Sequence, residues 1–159
     1  MPDSVADPTA TISIVAGVDE LAVVRAFVRE HAKAEGEDGE VLADLVQAVD
    51  ELVCNVITHG YEGRPGRIEI AFVPTADTLG FRIRDDAPPF DPTSVPEPPL
   101  HVPLNQRKLG GMGVHLARDL TDEFHHRILP TGGNEVTVRK RRTATGEATD
   151  GHHDGPTER

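Results

Sequence analysis

Apolar residues recur along the chain with two different spacings, and these spacings predict the order of strands and helices. Residues 11–15 alternate polar and apolar positions as a strand does, whereas 18–34 and 40–59 show the three-to-four residue spacing of helices. Two hairpins are predicted at 67–84 and 123–140, with a third helix between them. Helices on one face of a mainly antiparallel sheet account for this order, so we expect an α+β fold, a two-layer α/β sandwich.

The ordered domain is predicted to cover residues 11–141. Residues 1–10 and 142–159 are rich in Pro, Gly, Asp and Thr, and we expect both ends to be disordered. Residues 93–109 lie inside the domain, carry four prolines and predict no regular structure. A connection of that length within a compact domain is usually functional.

The helix predicted at 40–59 has a polar stripe beside its apolar face. Glu51 and Asn55 lie on this stripe four residues apart, so their side chains can converge on one point. No Lys or Arg occurs between 40 and 59, although an ordinary solvated helix usually balances its acids. Oxygen ligands suit a hard cation such as Mg²⁺, and a solvated helix face is the alternative interpretation.

Two turns add candidate chemistry. Gly110-Gly111-Met112-Gly113 precedes a predicted helix, a position where backbone amides can cradle phosphates, and Lys108 places a positive charge beside it. The same glycines could also simply cap a loop. Asp85 ends an apolar strand and could accept a hydrogen bond from an amine such as that of adenine, with an Asx turn as the alternative.

Charge and composition exclude several kinds of function. The formal net charge of −11 disfavours nucleic acids and anionic membranes, which bind through basic surfaces. One segment, 101–143, is basic, and we expect its bases to gather around the glycine turn. The N-terminus lacks a secretory pattern and no apolar run is long enough to span a membrane, so the cytoplasm is the expected compartment. The single cysteine, Cys54, excludes an internal disulfide.

Four segments resemble, in order and spacing, the nucleotide-binding boxes of the GHKL ATPase/kinase superfamily, and in particular the small bacterial anti-sigma factor serine/threonine kinases. The resemblance covers residues 12–141 and implies an ATP site with Mg²⁺. The segments are Glu51-Leu52-Val53-Cys54-Asn55, Asp85-x-Ala87-x-Pro89-Phe90-Asp91-Pro92, Gly110-Gly111-Met112-Gly113 and Gly133-Asn134-Glu135-Val136-Thr137-Val138.

The resemblance implies a role for each matching residue. Glu51 would be the general base that takes the proton from an attacking serine hydroxyl, and Asn55 would hold Mg²⁺. Asp85 would bind the adenine amino group, with Thr137 assisting through water. The backbone of 111–113 would meet the phosphates.

The resemblance also implies partners and a mobile part. Residues 93–109 would be the lid over ATP. The substrate would be an anti-sigma antagonist and the second partner a sigma factor, and family members commonly form dimers.

The second box departs from the D-x-G-x-G of much of the superfamily, because Ala87 and Pro89 occupy the positions of its glycines. The Ala87 methyl would lie near adenine, so a weakly ATP-binding or non-catalytic binding module is the alternative function. A histidine kinase catalytic domain is disfavoured, because no helical phosphoacceptor segment is recognisable.

Overall fold

The computed structural model describes residues 7–90 and 109–144, which form one antiparallel sheet with helices on one face. The strand order in the sheet is β1-β2-β3-β5-β4. The strands are β1 Ala10–Val15, β2 Arg67–Phe72, β3 Thr78–Asp85, β4 Glu123–Ile128 and β5 Asn134–Arg141. The helices are α1 Leu21–Ala34, α2 Glu40–Asn55 and α3 Leu109–Leu120. The predicted α+β sandwich is confirmed.

The core lies between the sheet and the helices. Residues on one face of each strand pack against α1 and α2, as the alternation along a strand requires. The fully buried side chains include Leu45, Val49 and Val53 of α2 and Ile70, Phe81 and Ile83 of the sheet. The apolar stripe of α2 therefore faces the sheet, and its polar stripe is left for α3 and for the cavity described below.

The end of α2 is irregular. The α-helix stops at Asn55 and continues as one π-helical turn, Val56–Gly60, where the sequence predicts a continuous helix to 59. Single π turns often mark functional sites. Tyr61 then joins this turn to the sheet, because its hydroxyl donates to the Arg67 carbonyl at 2.6 Å and accepts from the Asp86 amide at 2.8 Å.

The glycine segment is helical in the structure. Since α3 begins at Leu109, residues 110–113 form its first turns, whereas the sequence predicts a turn before the helix. The first backbone amides of a helix have no partner inside it, so this position still suits an anion. The predicted lid 93–109, apart from Leu109, and Lys108 lie outside the described residues.

The described chain also extends slightly beyond the predicted domain. Ala10 is already part of β1, and Thr143 is bound to Glu37 through its amide at 2.6 Å and its hydroxyl at 2.7 Å. In the ranges that the structure describes, none of the helices is long and apolar enough to cross a bilayer.

Candidate functional site

A cavity of about 290 Å³ opens between the end of α2 and the ends of β3 and β5. Four apolar side chains line it, Leu52, Val56, Ile83 and Val136. The polar side chains around it include Asn55, His59, Asp85 and Asn134, and the turn Pro88-Pro89-Phe90 closes one side. A concave, mostly apolar space with a few placed polar groups is the usual form of a small-ligand site.

Asp85 is the last residue of β3 and points into this cavity from a buried position. Its Oδ1 accepts hydrogen bonds from the Ala87 amide at 3.0 Å and from Asn134 Nδ2 at 3.1 Å. Within the described residues, no hydrogen bond reaches Oδ2. Burial raises the pKa of the Asp85 carboxyl, and these two hydrogen bonds oppose the rise. Oδ1 of Asp85 is therefore fixed by these hydrogen bonds, and Oδ2 is available to accept one from a ligand with an amino group.

Asn134 holds Asp85 and the turn that follows it. It starts β5 directly opposite Asp85 in the register of the two strands. Its Nδ2 lies 3.1 Å from Asp85 Oδ1, 3.3 Å from the Ala87 carbonyl and 3.1 Å from the Pro88 carbonyl, while its Oδ1 accepts from the Phe90 amide at 2.8 Å. One buried amide therefore fixes both the orientation of the carboxylate and the course of residues 86–90.

Thr137 is not in this cavity. The strand pairing places Val136 opposite Ile83 and Thr137 opposite Arg82, so Thr137 shares the outer face of the sheet with Arg82. The sequence-based expectation that Thr137 assists Asp85 does not fit this geometry, and Asn134 occupies the position beside Asp85 instead. The signal was present in the sequence, because apolar Val136 and Val138 point inward and the residue between them must point outward.

Ala87 contacts Gly60 and does not line the cavity. It is 2% exposed, and a Cβ built on Gly60 would lie 3.1 Å from the Ala87 Cβ. The Ala87 methyl therefore fills the space left by Gly60 at the end of the π-helical turn. The expectation that this methyl lies where adenine would bind is not what the structure shows, whereas Pro89 does line the cavity.

Glu51 lies one helical turn before Asn55, against the start of α3. Its Oε1 accepts a hydrogen bond from Gln47 Nε2 at 2.8 Å. A Cβ built on Gly113 would lie only 2.7 Å from Glu51 Oε2, closer than real side chains approach. The absence of a side chain at Gly113 therefore leaves room for the Glu51 carboxylate. Glu51, the candidate base, and Gly113, a candidate phosphate-binding residue, are in contact.

Two of the other acids of α2 are neutralised by bases from other elements. Asp44 pairs with Lys140 of β5 at 2.8 Å, and Asp50 pairs with Arg25 of α1 at 2.7 Å. Bases on neighbouring elements therefore compensate the charges of Asp44 and Asp50, and these two ion pairs have a structural role. Glu51 differs from Asp44 and Asp50, because within the described ranges no Lys or Arg pairs with it.

The described bases of segment 101–143 do not collect around the glycines. Of its described bases, Arg127, Arg139 and Arg141 project from the outer face of the sheet, and Arg118 lies over the Phe124 ring at 5.8 Å. Arg107 and Lys108 fall outside the described residues. The arginines of β4 and β5 therefore do not supply the positive charge that the sequence predicts beside the glycine segment 110–113.

The cavity and its surroundings suit a nucleotide with Mg²⁺. The open oxygen of Asp85 and the apolar walls match an adenine, and Asn55, which also lines the cavity, carries an amide oxygen that a cation can use as a ligand. In the part of the chain that the structure describes, no group of three His, Cys, Asp or Glu could hold a metal. Mg²⁺ commonly takes few protein ligands and completes its shell with phosphate and water oxygens, so a single Asn is compatible with it.

These features define a class. Residues 14–140 match the histidine kinase-like ATPase domain, and the chain belongs to that family. The resemblance to the GHKL superfamily is thereby confirmed, and membership implies an ATP-binding site.

Two curated relatives show where in the family the chain lies. An anti-sigma F factor from Thermoanaerobacter sp. (strain X514) is 28% identical over 101 residues, which cover 64% of this chain and 71% of that protein. The serine-protein kinase RsbW of Bacillus cereus (strain AH187) is 26% identical over 138 residues, which cover 81% of this chain and 82% of that protein. The chain is therefore similar to a protein named as an anti-sigma factor and to one named as a serine-protein kinase.

A solved structure has the same fold. It contains the RsbU and RsbW domains of Rv1364c from Mycobacterium tuberculosis, and the match has a TM-score of 0.54 at 23% identity. The match covers 86% of this chain, which spans 34% of that longer chain. This likeness shows the fold alone.

Proposed function

We propose that this chain is an ATP-dependent serine/threonine protein kinase of the anti-sigma factor type. One observation carries the proposal. Glu51 has no cationic partner within the described residues, contacts Gly113 of α3, and lies one turn from Asn55 at a cavity that ends on Asp85. A carboxylate left free of ion pairs at the phosphate end of a nucleotide site is suited to accept a proton.

The proposed reaction transfers the γ-phosphoryl group of ATP to a protein hydroxyl. The hydroxyl oxygen forms a bond to the γ-phosphorus, the bond from that phosphorus to the β,γ-bridging oxygen breaks, and ADP leaves with the electron pair. The hydroxyl proton goes to a Glu51 carboxylate oxygen. Such transfers depend mainly on positioning and on charge stabilisation, not on covalent chemistry by the protein.

The residues of the cavity divide the remaining tasks. Asp85 accepts from the adenine amino group through Oδ2, while Asn134 keeps that carboxylate and the 86–90 turn in place. Asn55 holds Mg²⁺, which when bound neutralises phosphate charge. The first amides of α3 face the phosphates, as helix N-termini do with anions.

The proposed partners follow from the names of the relatives. The relative named anti-sigma F factor and the relative named serine-protein kinase RsbW support a substrate that is an anti-sigma antagonist and a second partner that is a sigma factor. A homodimer is part of the proposal. None of these partners is needed for the first test, which concerns the chemistry of Glu51.

The test replaces Glu51 by glutamine, which keeps the shape of the side chain and removes its basicity. Phosphotransfer to a cognate antagonist, measured with γ-labelled ATP, is expected to fall by about 10²- to 10⁴-fold, the usual contribution of a general base. The dissociation constant for ATP with Mg²⁺, measured by titration calorimetry, is expected to stay within about twofold, because Glu51 does not line the adenine cavity.

Glu40→Gln is the matched control. Glu40 is an exposed acid at the start of the same helix, far along α2 from the cavity, so its loss is expected to leave the rate unchanged. Equal rates for Glu51→Gln and the unchanged protein would refute Glu51 as the base. Absence of heat on titration of the unchanged protein with ATP and Mg²⁺ would instead favour the non-catalytic binding module.

A further inference from the structure

The outer face of the sheet, away from the helices, is rich in arginine. Strand alternation places six arginines on the described part of this face, against three glutamates, Glu69, Glu123 and Glu135. The six are Arg67, Arg82, Arg84, Arg127, Arg139 and Arg141. This face is therefore net positive on a chain whose formal net charge is −11.

Each of the three glutamates already pairs with one or two arginines. Glu135 accepts from Arg84 at 2.6 Å and from Arg127 at 2.8 Å. Burial acts to raise the pKa of the Glu135 carboxyl, but its hydrogen bonds to these two arginines outweigh this and hold the pKa below its usual value. Little carboxylate capacity remains on this face for the other guanidinium groups.

Arg82 at the centre of this face lacks full compensation. It is 8% exposed, and its Nε has no hydrogen-bond partner among the residues that the structure describes. Its shortest ion pair, to Glu69, spans 3.9 Å between Nη2 and Oε1. Burial lowers the pKa of Arg82, and the neighbouring Arg84 lowers it further. A buried cation without a close carboxylate is costly, so an additional anion at this position would be stabilised.

A trough of about 940 Å³ crosses this part of the sheet. Its lining includes Arg82, Arg127, Arg139 and Arg141, which belong to three adjacent strands. In the strand register, Arg127 lies at the level of Glu135 and Arg82 at the level of Thr137, and Arg139 and Arg141 follow at steps of two residues along β5. Two residues of a strand rise about 7 Å, so successive arginines are offset by about 7 Å along the trough. Carboxylates two residues apart on one side of an extended peptide are separated by about 7 Å, a comparable distance.

We propose that this arginine trough is a docking surface for an acidic, extended segment of a partner protein. The carboxylates of the segment would pair with Arg82, Arg127 and Arg141, and guanidinium groups bind carboxylates in this way with fixed geometry. The surface is on the opposite side of the sheet from the cavity. Binding there is therefore compatible with a nucleotide bound between Asp85 and Asn55.

The test uses the full chain and a fluorescein-labelled octa-glutamate peptide, followed by fluorescence anisotropy. A chain with a net charge of −11 should repel this probe unless a concentrated positive surface holds it. Binding is expected at low ionic strength and is expected to weaken as salt is added. The double variant Arg127→Gln/Arg141→Gln, both at exposed positions, is expected to weaken it about five- to tenfold.

Arg29→Gln/Lys33→Gln is the matched control, because it removes the same charge from exposed positions of α1 on the other layer. Probe affinity of this control and ATP affinity of both double variants are expected to stay unchanged. Failure of the unchanged chain to bind the probe, or equal losses in the two double variants, would overturn the proposal. Dissociation of a dimer by Arg127→Gln/Arg141→Gln in sedimentation would also overturn it, because the occupant would then be a second copy.

Discussion

The two ends of the candidate site are built differently. At the end where we propose that adenine binds, Asp85 and Asn134 are each 6% exposed and are joined to the 86–90 turn by a connected set of hydrogen bonds. At the end where we propose that the phosphates bind, Glu51 is half-buried and is held by one side-chain hydrogen bond, from Gln47. Strands build the first end and helices build the second.

This difference matches two tasks. A group that recognises a small, constant ligand gains from being fixed before binding, since less freedom is then lost on binding. A group that takes a proton from another protein must stay within reach of that protein. The comparison therefore predicts that changes at the helix end reduce the rate of transfer, while changes at the strand end reduce nucleotide affinity.

Gly113→Ala is expected to have the largest effect among the changes considered below. The added methyl would meet Glu51 Oε2, the mobile end of a flexible side chain, so the carboxylate would move while the fold persists. A misplacement of about 1 Å can cost roughly 100-fold in rate, and we expect a loss of that size in phosphotransfer. Stability is expected to be unchanged or slightly higher, because Ala favours a helix over Gly.

The measurements are the rate with γ-labelled ATP and the midpoint of thermal unfolding. Gly17→Ala is the control, because the atom nearest to a Cβ there is the Val15 carbonyl oxygen at 3.9 Å, an ordinary contact. A normal rate in Gly113→Ala would show that phosphotransfer does not depend on the position of Glu51 relative to α3. The proposed role of Glu51 and α3 in setting the transfer rate would then be refuted.

Asp85→Asn tests the strand end directly. Asparagine keeps the shape and the acceptor for the Ala87 amide, but its amide group replaces the open oxygen with a donor that repels an amino group. Loss of a hydrogen bond to a charged acceptor weakens ATP binding by about 10- to 100-fold. Affinity for GTP, whose base presents a carbonyl oxygen there, is expected to rise relative to ATP.

The pH dependence of ATP binding adds a second readout. Because the pKa of Asp85 is raised by burial, affinity is expected to fall on acidification at a higher pH than an ordinary Asp would require. This fall should be absent from Asp85→Asn. Asp86→Asn, at an exposed neighbour, should bind ATP like the unchanged chain. A common pH profile for all three proteins would show that Asp85 does not contact the base.

Asn134→Ala tests the residue that holds the strand end in place. Its loss would leave the Phe90 amide without its acceptor and would free the Asp85 carboxylate to rotate. We expect about tenfold weaker ATP binding, together with a stability loss of about 1–3 kcal/mol for the unsatisfied groups. Calorimetric titration and urea unfolding would measure these two quantities.

Thr137→Ala is the paired change on the outer face of the same strand. It is expected to leave ATP affinity unaltered, since Thr137 lies opposite Arg82 and away from the cavity. A larger loss of affinity from Thr137→Ala than from Asn134→Ala would contradict the assignment of the two residues to opposite faces.

Periodicity in the sequence predicts the sheet, the helices and the placement of Glu51 and Asn55 on one stripe of α2. It predicts them because burial of an apolar stripe fixes which face of a helix or strand points inward. The same alternation also excludes Thr137 from the cavity, although the family resemblance alone favours it. The role that the resemblance implies for Thr137 conflicts with the position of Thr137 on the outer face of β5, opposite Arg82.

Other features depend on contacts between distant parts of the chain, which local patterns do not encode. The π-helical turn at Val56–Gly60, the contact between Gly113 and Glu51, and the pairing of Asp44 and Asp50 with bases of other elements belong to this group. The apparent shortage of bases on α2 illustrates this, because a salt bridge can be completed by a residue about 100 positions away, as Lys140 does for Asp44.

The smallest expected effect concerns the contact between Gly60 and Ala87, the residue that replaces a glycine of the D-x-G-x-G box. Gly60→Ala would force two methyl carbons together at 3.1 Å and is expected to cost about 1–3 kcal/mol of unfolding free energy through overpacking. Ala87→Gly removes the obstructing methyl, so the double variant should recover part of that loss. A double-mutant cycle by urea unfolding measures the coupling between the two sites.

Ala87→Gly alone is expected to change ATP affinity by less than about twofold, because the methyl that it removes faces Gly60 and not the cavity. A large gain in ATP affinity would mean that the methyl obstructs the nucleotide after all, and the strand end would then be a weakened site instead of a prearranged one.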